Sequence, residues 1–208
     1  MKVLLINGSP HANGTTFTAL SEAAKELNAQ GIETEIFQLG TDPVFPCLGC
    51  RQCKKNNDEK CVRDGDVVNI LIEKVKEIDG LVIGSPVHYS SGCGALTTCL
   101  DRLFYASKSL ENKPGASVVC CRRGGASSAF DQLNKYFTKT NMPIVSSQYW
   151  NMVYGDCAQD AEKDFEGLQT MRTLARNMAW LLKCIEAGKK ASIPYPEKES
   201  GIRTNFIR

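Results

Sequence analysis

The chain has 208 residues, of which 42% are hydrophobic, and its formal net charge is +2 at pH 7. This length fits one domain that is large enough to bury roughly 70% of its unfolded surface. A net charge so close to zero gives no sign of a nucleic-acid footprint, and no apolar run approaches the ~20 residues that a membrane-spanning helix needs.

The first stretch predicts a buried strand, a tight loop and an amphipathic helix. Residues 3–6 form an unbroken apolar run that ends in Asn-Gly-Ser-Pro, and a helical pattern begins at Thr15. One face of this helix carries Phe17, Leu20, Ala24 and Leu27. Free N–H groups and the dipole at such a helix start suit a phosphate, although a plain strand–helix connection with simple caps is the alternative. The loop matches neither the usual dinucleotide fingerprint nor the usual nucleoside triphosphate fingerprint.

Further strands and helices alternate along the chain. Strands are predicted at 32–39, 80–84, 116–121 and 143–147. One helix is predicted to start at residue 66 and another to follow residue 92. Two more are predicted over 127–140 and 158–188. The helix that starts at 66 places Val67, Ile70, Leu71, Val75 and Ile78 on its predicted inner face. The last helix has a longer predicted stripe of Phe165, Leu168, Met171, Ala175, Met178, Leu182 and Ile185.

This alternation predicts an α/β fold with a doubly wound, five-stranded parallel sheet of order 2-1-3-4-5. We expect one domain over 1–190, with a cysteine-rich loop inserted at 40–65, and an extended C-terminal tail over 191–208. Ligands of such sheets bind beyond the carboxyl ends of the strands. In this chain those ends lead into three unusual loops, SPHANGTT, SPVHYSSGCG and RRGG, which we expect to converge on one crevice.

These loops carry a family resemblance. GSPHANGTT, then GSPVHYSSGCGALTTCLDRLFYA, then RRGG closely resemble the flavodoxin-like NAD(P)H-dependent FMN reductase and iron–sulfur flavoprotein family over about residues 2 to 150. The chain departs from the family pattern at His88, where an aromatic residue is common, and at His11, where an arginine is common.

The resemblance implies bound FMN and a flavodoxin-like fold. It places the FMN phosphate at Ser9, His11, Asn13, Gly14, Thr15 and Thr16. It places the isoalloxazine ring against Pro86, Val87, His88, Tyr89 and Ser90 on one side and Gly124 on another. No nucleophile–base pair or paired carboxylates emerge, so we predict no catalytic side chain, because a flavin carries the redox chemistry itself. An aromatic cluster of Tyr149, Trp150 and Tyr154, just after the fifth predicted strand, is a candidate cap.

Four of the ten cysteines form a compact pattern. Cys47, Cys50, Cys53 and Cys61 read C-x2-C-x2-C-x7-C, which is similar to the start of a bacterial ferredoxin motif and favours a [4Fe–4S] cluster. Zinc, which usually draws two separated pairs, and idle reduced cysteines are the alternatives. Iron–sulfur flavoproteins carry such a segment in this loop. The remaining six are expected to be small core residues: Cys93, Cys99, Cys120, Cys121, Cys157 and Cys184.

The cellular setting is predicted to be the cytoplasm. Met1 and Lys2 lead straight into the first predicted strand without a small-residue cleavage site, and ten cysteines then point to metal, redox or core roles rather than disulfides. We expect no membrane and no nucleic-acid partner, and a homodimer or homotetramer.

Three functions compete at this point. The first is an FMN oxidoreductase that takes hydride from NAD(P)H and reduces a quinone, flavin or similar small acceptor. The second is an iron–sulfur flavoprotein that passes single electrons from a ferredoxin through a cluster and FMN. The third is a zinc-stabilised binding module.

Overall fold

The structure, a computed structural model, describes residues 1–199, 201, 202, 204 and 206. The predicted extended tail therefore lies partly outside the described residues. Residues 193–199 contain no helix or strand. Within the described ranges, no helix combines the length and the apolar character that crossing a membrane requires.

A parallel sheet forms the centre of the molecule. Its strands are β1 (Lys2–Asn7), β2 (Glu33–Gln38), β3 (Gly80–His88), β5 (Gly115–Cys121) and β6 (Met152–Tyr154), with a short β4 (Ser91–Gly92) beside β3. The spatial order is β2-β1-β3-β5-β6, and all four neighbouring pairs are parallel. Strand β4 pairs antiparallel with the end of β3 and is off this path. The predicted doubly wound order 2-1-3-4-5 is confirmed. The last two strands are numbered β5 and β6 only because the short hairpin strand β4 precedes them in the chain.

The fifth strand of the sheet lies later in the chain than predicted. Over 143–147 a single bridge joins Ile144 to Gly115, whereas β6 pairs with Val119–Cys121. The backbone groups of Pro143 and Val145 bond to Gly115. Further along the segment, the Ser146 carbonyl accepts from Asn177 Nδ2 at 2.9 Å and Ser147 Oγ donates to the Thr170 carbonyl at 2.7 Å, both on the last helix. Tyr149 and Trp150 consequently precede the strand rather than follow it, and Tyr154 is its last residue.

Helices cover both faces of the sheet. Their bounds are α1 (Thr15–Ala29), α2 (Gln52–Asn56), α3 (Val68–Lys74), α4 (Gly94–Ala106), α5 (Ala126–Lys139), α6 (Ala158–Ala161) and α7 (Phe165–Lys190). On one face of the sheet, buried apolar side chains of β1, β3 and β5 pack against α1 and α7. On the opposite face, buried apolar side chains of the sheet pack against α3, α4 and α5. Apolar side chains on both faces explain why the central strands read as continuous hydrophobic runs.

Two details of the predicted helices are wrong. Ile70 was expected on the inner face of α3 but is 53% exposed. The last helix was expected to be continuous from 158, but it is interrupted before Phe165, where the Asp164 carboxylate accepts a hydrogen bond from the Gly167 N–H at 2.9 Å. This cap starts α7 afresh, and Phe165, predicted to belong to the buried stripe, is 77% exposed.

Candidate functional site

The loop after β1 is held by polar side chains at the ends of two neighbouring strands. Asn7 and Gln38 lie opposite each other in the β1–β2 register. Asn7 Oδ1 accepts from the Ser9 N–H at 3.1 Å, and Gln38 Nε2 donates to the Ser9 carbonyl at 2.7 Å. Ser9 Oγ in turn accepts from the His11 N–H at 3.1 Å. Sequence reasoning missed Asn7 and Gln38, although both are polar residues that end adjacent parallel strands.

This loop delivers the chain to an uncapped helix. Gly14 is the N-cap of α1, makes no side-chain cap, and the first turn holds no acidic residue. Among the described residues, the N–H groups of Thr15, Thr16 and Phe17 have no acceptor. A β-carbon added at Gly14 would lie 3.2 Å from the His11 β-carbon, so the turn is tight. Free N–H groups at the positive end of a helix dipole suit a phosphate.

The side chains predicted for the phosphate lie at different depths. His11 and Asn13 are exposed, Gly14 and Thr15 are half-buried, and Thr16 is buried at 1% exposure. Thr15 Oγ1 donates to the Gly155 carbonyl at 3.3 Å, which ties this loop to the end of β6. The Thr16 side chain lies beside the Cys120 thiol, where it partly offsets the rise that burial causes in the pKa of that thiol.

The second loop is a tight β-hairpin. Val87 pairs with Gly92 and His88 with Ser91, which leaves Tyr89 and Ser90 as the two residues of the turn. Both have left-handed backbone conformations, with φ of 49° and 60°. Two successive positive φ values characterise the type I′ hairpin turn. Tyr89 stands fully exposed at the tip, while Pro86 and Val87 are half-buried at its base.

The third loop packs against this hairpin through a glycine. Gly125 has a φ of 84°, and a β-carbon there would lie 2.7 Å from Ser90 Oγ and 3.1 Å from Val87 Cγ1. Gly124, by contrast, has open space where its side chain would be. The predicted ring contact at Gly124 therefore stays available, while Gly125, which sequence reasoning passed over, brings the two loops together.

The three loops meet at one edge of the sheet. The Gly8 N–H donates to the Gly84 carbonyl at 2.9 Å, which joins the start of the first loop to β3. We call the edge formed by residues 8–16, 86–92 and 122–125 the carboxyl edge. Every residue predicted for the phosphate or the ring lies in it. The edge offers a helix N-terminus for an anion, and open space at Gly124 for a flat heterocycle.

The four predicted ligand cysteines line one narrow cavity of about 30 Å³. Cys47 and Cys50 are exposed, Cys53 is buried and Cys61 is half-buried. We call residues 47–61 the cysteine segment. Over the residues that the structure describes, no three His, Cys, Asp or Glu side chains are grouped closely enough to hold a metal ion. The donors are thus gathered around one cavity but do not stand in ligating positions.

The end of the cysteine segment is fixed to the fold by buried polar groups. The Cys61 N–H donates to Asn69 Oδ1 and Asn69 Nδ2 donates to the Cys61 carbonyl, both at 2.9 Å. Arg102 of α4 forms a buried ion pair with Asp66. Burial opposes ionisation of Asp66, but hydrogen bonds from the Phe45 N–H and the Arg102 guanidinium outweigh it and lower the pKa of this carboxyl.

The other cysteines divide into two groups. Cys93, Cys99, Cys120 and Cys121 are buried, as predicted. Burial raises the pKa of Cys99 to about 12 and that of Cys120 to about 12, so these thiols stay protonated. Cys157 and Cys184 are exposed, so their assignment to the core is wrong.

A large open groove of about 970 Å³ lies between α4 and α5. Five lysines line it against two carboxylates: Lys54, Lys108, Lys135, Lys139 and Lys198, with Asp101 and Glu111. The Tyr105 side chain lines both this groove and the cysteine cavity. The Lys54 ammonium lies 4.8 Å from the centre of the Tyr105 ring.

Comparison with known proteins identifies the family. The sequence model of NADPH-dependent FMN reductases matches residues 1–156. The chain belongs to this family. Its members are oxidoreductases.

Relatives that match over nearly the whole chain are iron–sulfur flavoproteins. One from Methanocaldococcus jannaschii is 33% identical over 89% of this chain and 100% of its own length. One from Archaeoglobus fulgidus is 31% identical over 86% of this chain and 94% of its own length. Among solved structures, a flavodoxin from the domain Archaea is 13% identical with a TM-score of 0.59, over 88% of this chain and 99% of the flavodoxin. This last likeness confirms the flavodoxin-like fold.

Proposed function

We propose that this chain is an iron–sulfur flavoprotein that binds FMN at the carboxyl edge and a [4Fe–4S] cluster in the cysteine segment, and transfers electrons between a redox partner and a small acceptor. One observation carries the proposal: Cys47, Cys50, Cys53 and Cys61 line a common cavity in a chain of the FMN reductase family. Four thiols are the complete ligand set of such a cluster.

The residues of the carboxyl edge fit FMN. The free N–H groups of Thr15 and Thr16 and the Ser9 hydroxyl would hold the phosphate, and the exposed His11 and Asn13 side chains would lie beside it. The hairpin at Pro86–Ser90 and the open space at Gly124 hold the ring. When bound, FMN supplies hydride and one-electron chemistry. The protein would orient the cofactor.

The cysteine segment fits a cluster in its donor chemistry. Cys47 and Cys50 lie on exposed backbone beside Gly49 and Arg51, whose left-handed φ values of 66° and 59° fold the segment into a sharp turn. A cluster would be held by Cys47 and Cys50 of this turn together with the less exposed Cys53 and Cys61. A cluster supplies one-electron chemistry when bound.

Helix α4 connects the two sites. Its first residue, Gly94, lies two residues after the end of the hairpin strand β4, and its Arg102 contacts Cys61. At 1.5 Å per residue, these two positions are about 12 Å apart along the helix axis. A rigid helix thus fixes the distance from the FMN edge to the cysteine segment.

The basic groove suits an acidic protein partner such as a ferredoxin. Its five lysines outnumber its two carboxylates, and Tyr105 separates it from the cysteine cavity. Opposite charges raise association rates, and this steering weakens as salt screens it. Such a partner and the ten cysteines, none in a disulfide, agree with a cytoplasmic setting.

The assembly is a homodimer or homotetramer. Tyr89 at the hairpin tip is fully exposed, and Tyr149 and Trp150 are 59% and 56% exposed. Exposed aromatic residues beside a ligand edge are typical of surfaces that a second subunit covers. A second copy would roof the FMN. Light scattering of the flavin-bound protein at micromolar concentration tests this, and a monomer would contradict it.

A second candidate is an NAD(P)H-dependent FMN reductase without a cluster that reduces a quinone, flavin or similar acceptor. It is favoured by the absence, across the described residues, of any cysteine group close enough to hold a metal. The segment is then a structural loop, and NAD(P)H is the electron donor.

Rapid-mixing kinetics separate the two candidates. We expect anaerobically purified protein to accept electrons from a reduced ferredoxin faster than from NADPH, and the ferredoxin rate to fall as salt rises. Replacing Lys135 and Lys139 by Ser should lower the ferredoxin rate several-fold and leave the NADPH rate unchanged. Fast, salt-insensitive reduction by NADPH alone would favour the second candidate.

A further inference from the structure

We propose that Arg102 is a positioning residue for the cluster: it holds Cys61 as a ligand and, through an N–H···S hydrogen bond, stabilises the reduced cluster. This inference rests on the proposed function, because it concerns how the cluster of that function is held and tuned. Nothing in the sequence motif C-x2-C-x2-C-x7-C includes this arginine.

Arg102 is an arginine without access to solvent. Its side chain is 1% exposed, and that of its ion-pair partner Asp66 is equally buried. A buried guanidinium is costly unless its N–H groups are satisfied. Burial would lower the pKa of Arg102, but its hydrogen bonds to Cys61 and Asp66 outweigh this and raise it.

All three nitrogens of the guanidinium are used, and every acceptor lies in the stretch 45–66. Nε donates to Cys61 Sγ at 3.3 Å. One terminal nitrogen donates to the Phe45 carbonyl at 3.1 Å and to the Asp66 carboxylate, and the other donates to the Arg63 carbonyl. Arg102 therefore joins both ends of the cysteine segment to one point on α4.

The hydrogen bond from Arg102 to Cys61 is separate from the ion pair between Arg102 and Asp66. The Asp66 carboxylate accepts from a terminal nitrogen of the guanidinium. The Nε–H group, on the opposite side of this planar group, is therefore free to donate to Cys61 Sγ. Hydrogen bonds to cluster sulfurs, together with local charge, set the reduction potential. A buried cation donating to a ligand thiolate favours the reduced, more negative state, so its removal should make the potential more negative.

Arg102→Lys is the direct test, because it keeps the charge but cannot reach all four acceptors. We expect cluster assembly in anaerobic reconstitution, at least tenfold faster iron loss to a chelator, and a more negative reduction potential by a dye-coupled titration. The double variant Arg102→Gln with Asp66→Asn removes both charges of the pair, so that no buried charge is left uncompensated, and should show the same changes. Circular dichroism confirms folding of each.

Arg63→Met is the matched control. Arg63 also lines the cysteine cavity, but its guanidinium lies 4.4 Å from the Phe45 ring rather than on a cysteine sulfur. The reduction potential of the cluster in Arg63→Met should shift less than in Arg102→Lys, and this variant should retain its iron. Iron retention and potential equal to wild type in both Arg102 variants would overturn the role of Arg102 while leaving the cluster in place. A wild-type protein that takes up no iron would instead overturn the proposed function itself, and this inference with it.

Discussion

The carboxyl edge and the cysteine segment are built in opposite ways. At the carboxyl edge, strand ends and helix starts hold the loops, and the hydrogen bonds of Ser9 with Asn7, His11 and Gln38 complete the shape of the first loop. The cysteine segment has one helix of five residues, α2, and four left-handed residues: Gly49, Arg51, Asn57 and Glu59. Its firm attachments to the rest of the fold include Arg102 and Asn69.

This difference separates a preformed site from a site that its ligand completes. Backbone N–H groups at a helix start are in place before any phosphate arrives. Thiol ligands on exposed backbone, here Cys47 and Cys50, reach their positions when a metal binds, so that binding energy becomes local folding energy. We therefore expect FMN binding to be largely independent of the cluster, and the order of the cysteine segment to depend on it.

The largest expected effect comes from removing one ligand. Cys53→Ala should abolish iron binding, because each thiolate completes the coordination of one iron, while one FMN per chain remains bound. Iron analysis and the flavin absorbance of the same sample measure both. Cys184→Ala, at an exposed position on α7, is the control and should keep its iron. Joint loss of iron and FMN in Cys53→Ala would break the proposed independence.

Limited proteolysis should show a large difference between the same two regions. The cysteine segment contains four trypsin sites: Arg51, Lys54, Lys55 and Lys60. In iron-free protein we expect cleavage there at least tenfold faster than in cluster-loaded protein, since weakly anchored segments open locally at low free-energy cost. Removal of FMN alone should leave this rate unchanged. Equal cleavage rates with and without iron would show that the segment is ordered by the protein alone.

At the carboxyl edge, two adjacent glycines form a matched pair. Gly125→Ala should reduce stability by about 1–3 kcal/mol and weaken FMN binding, because its left-handed φ and the contact with Ser90 both exclude a β-carbon. Gly124→Ala should leave the stability of FMN-free protein unchanged, because its surroundings are open, but should weaken FMN binding. Urea unfolding and flavin fluorescence titration measure the two effects. FMN affinity unaffected by Gly124→Ala would remove this residue from the ring site.

The smallest expected effect tests the scaffold. Lys74 and Lys2 hydrogen-bond to Glu35 on β2 and lower the pKa of its carboxyl. Such a group contributes stability above its unfolded pKa of about 4.3, and this contribution is lost as pH falls through the folded pKa. Glu35→Gln should therefore cost about 0.5–1 kcal/mol at pH 7, with the difference from wild type vanishing in acid. Urea unfolding at a series of pH values checks this, and both cofactors should stay bound throughout.

The regular parts of this molecule could be predicted from its sequence, because their signals are local. Apolar runs and helical spacing gave the strand order, and the loop after β1 was placed at the start of α1 as found. The failures involve distant partners or local competition. Residues 143–147 look like a strand, but after a single bridge to Gly115 the Ser146 carbonyl and the Ser147 hydroxyl bond to α7. The Asp164 cap interrupts an otherwise continuous helical pattern.

The loops of the candidate site could be predicted from the sequence, but the distant residues that hold those loops in place could not. The spacing of Cys47 to Cys61 is visible in the sequence, and the four side chains do line one cavity. Arg102 lies 41 residues beyond Cys61, and no spacing rule connects them. Likewise, Tyr89 and Ser90 gave no sign of a left-handed turn, since neither is a residue type that favours it.

The central claim is that one chain carries FMN on a preformed edge and a cluster in the cysteine segment. The most direct measurement is the content of FMN, iron and acid-labile sulfide in anaerobically purified protein, with low-temperature electron paramagnetic resonance of the reduced sample. We predict about four iron and about four sulfide per FMN, and the signal of a reduced [4Fe–4S] cluster. One FMN per chain with zinc or no metal, even after reconstitution with iron and sulfide, would contradict the account.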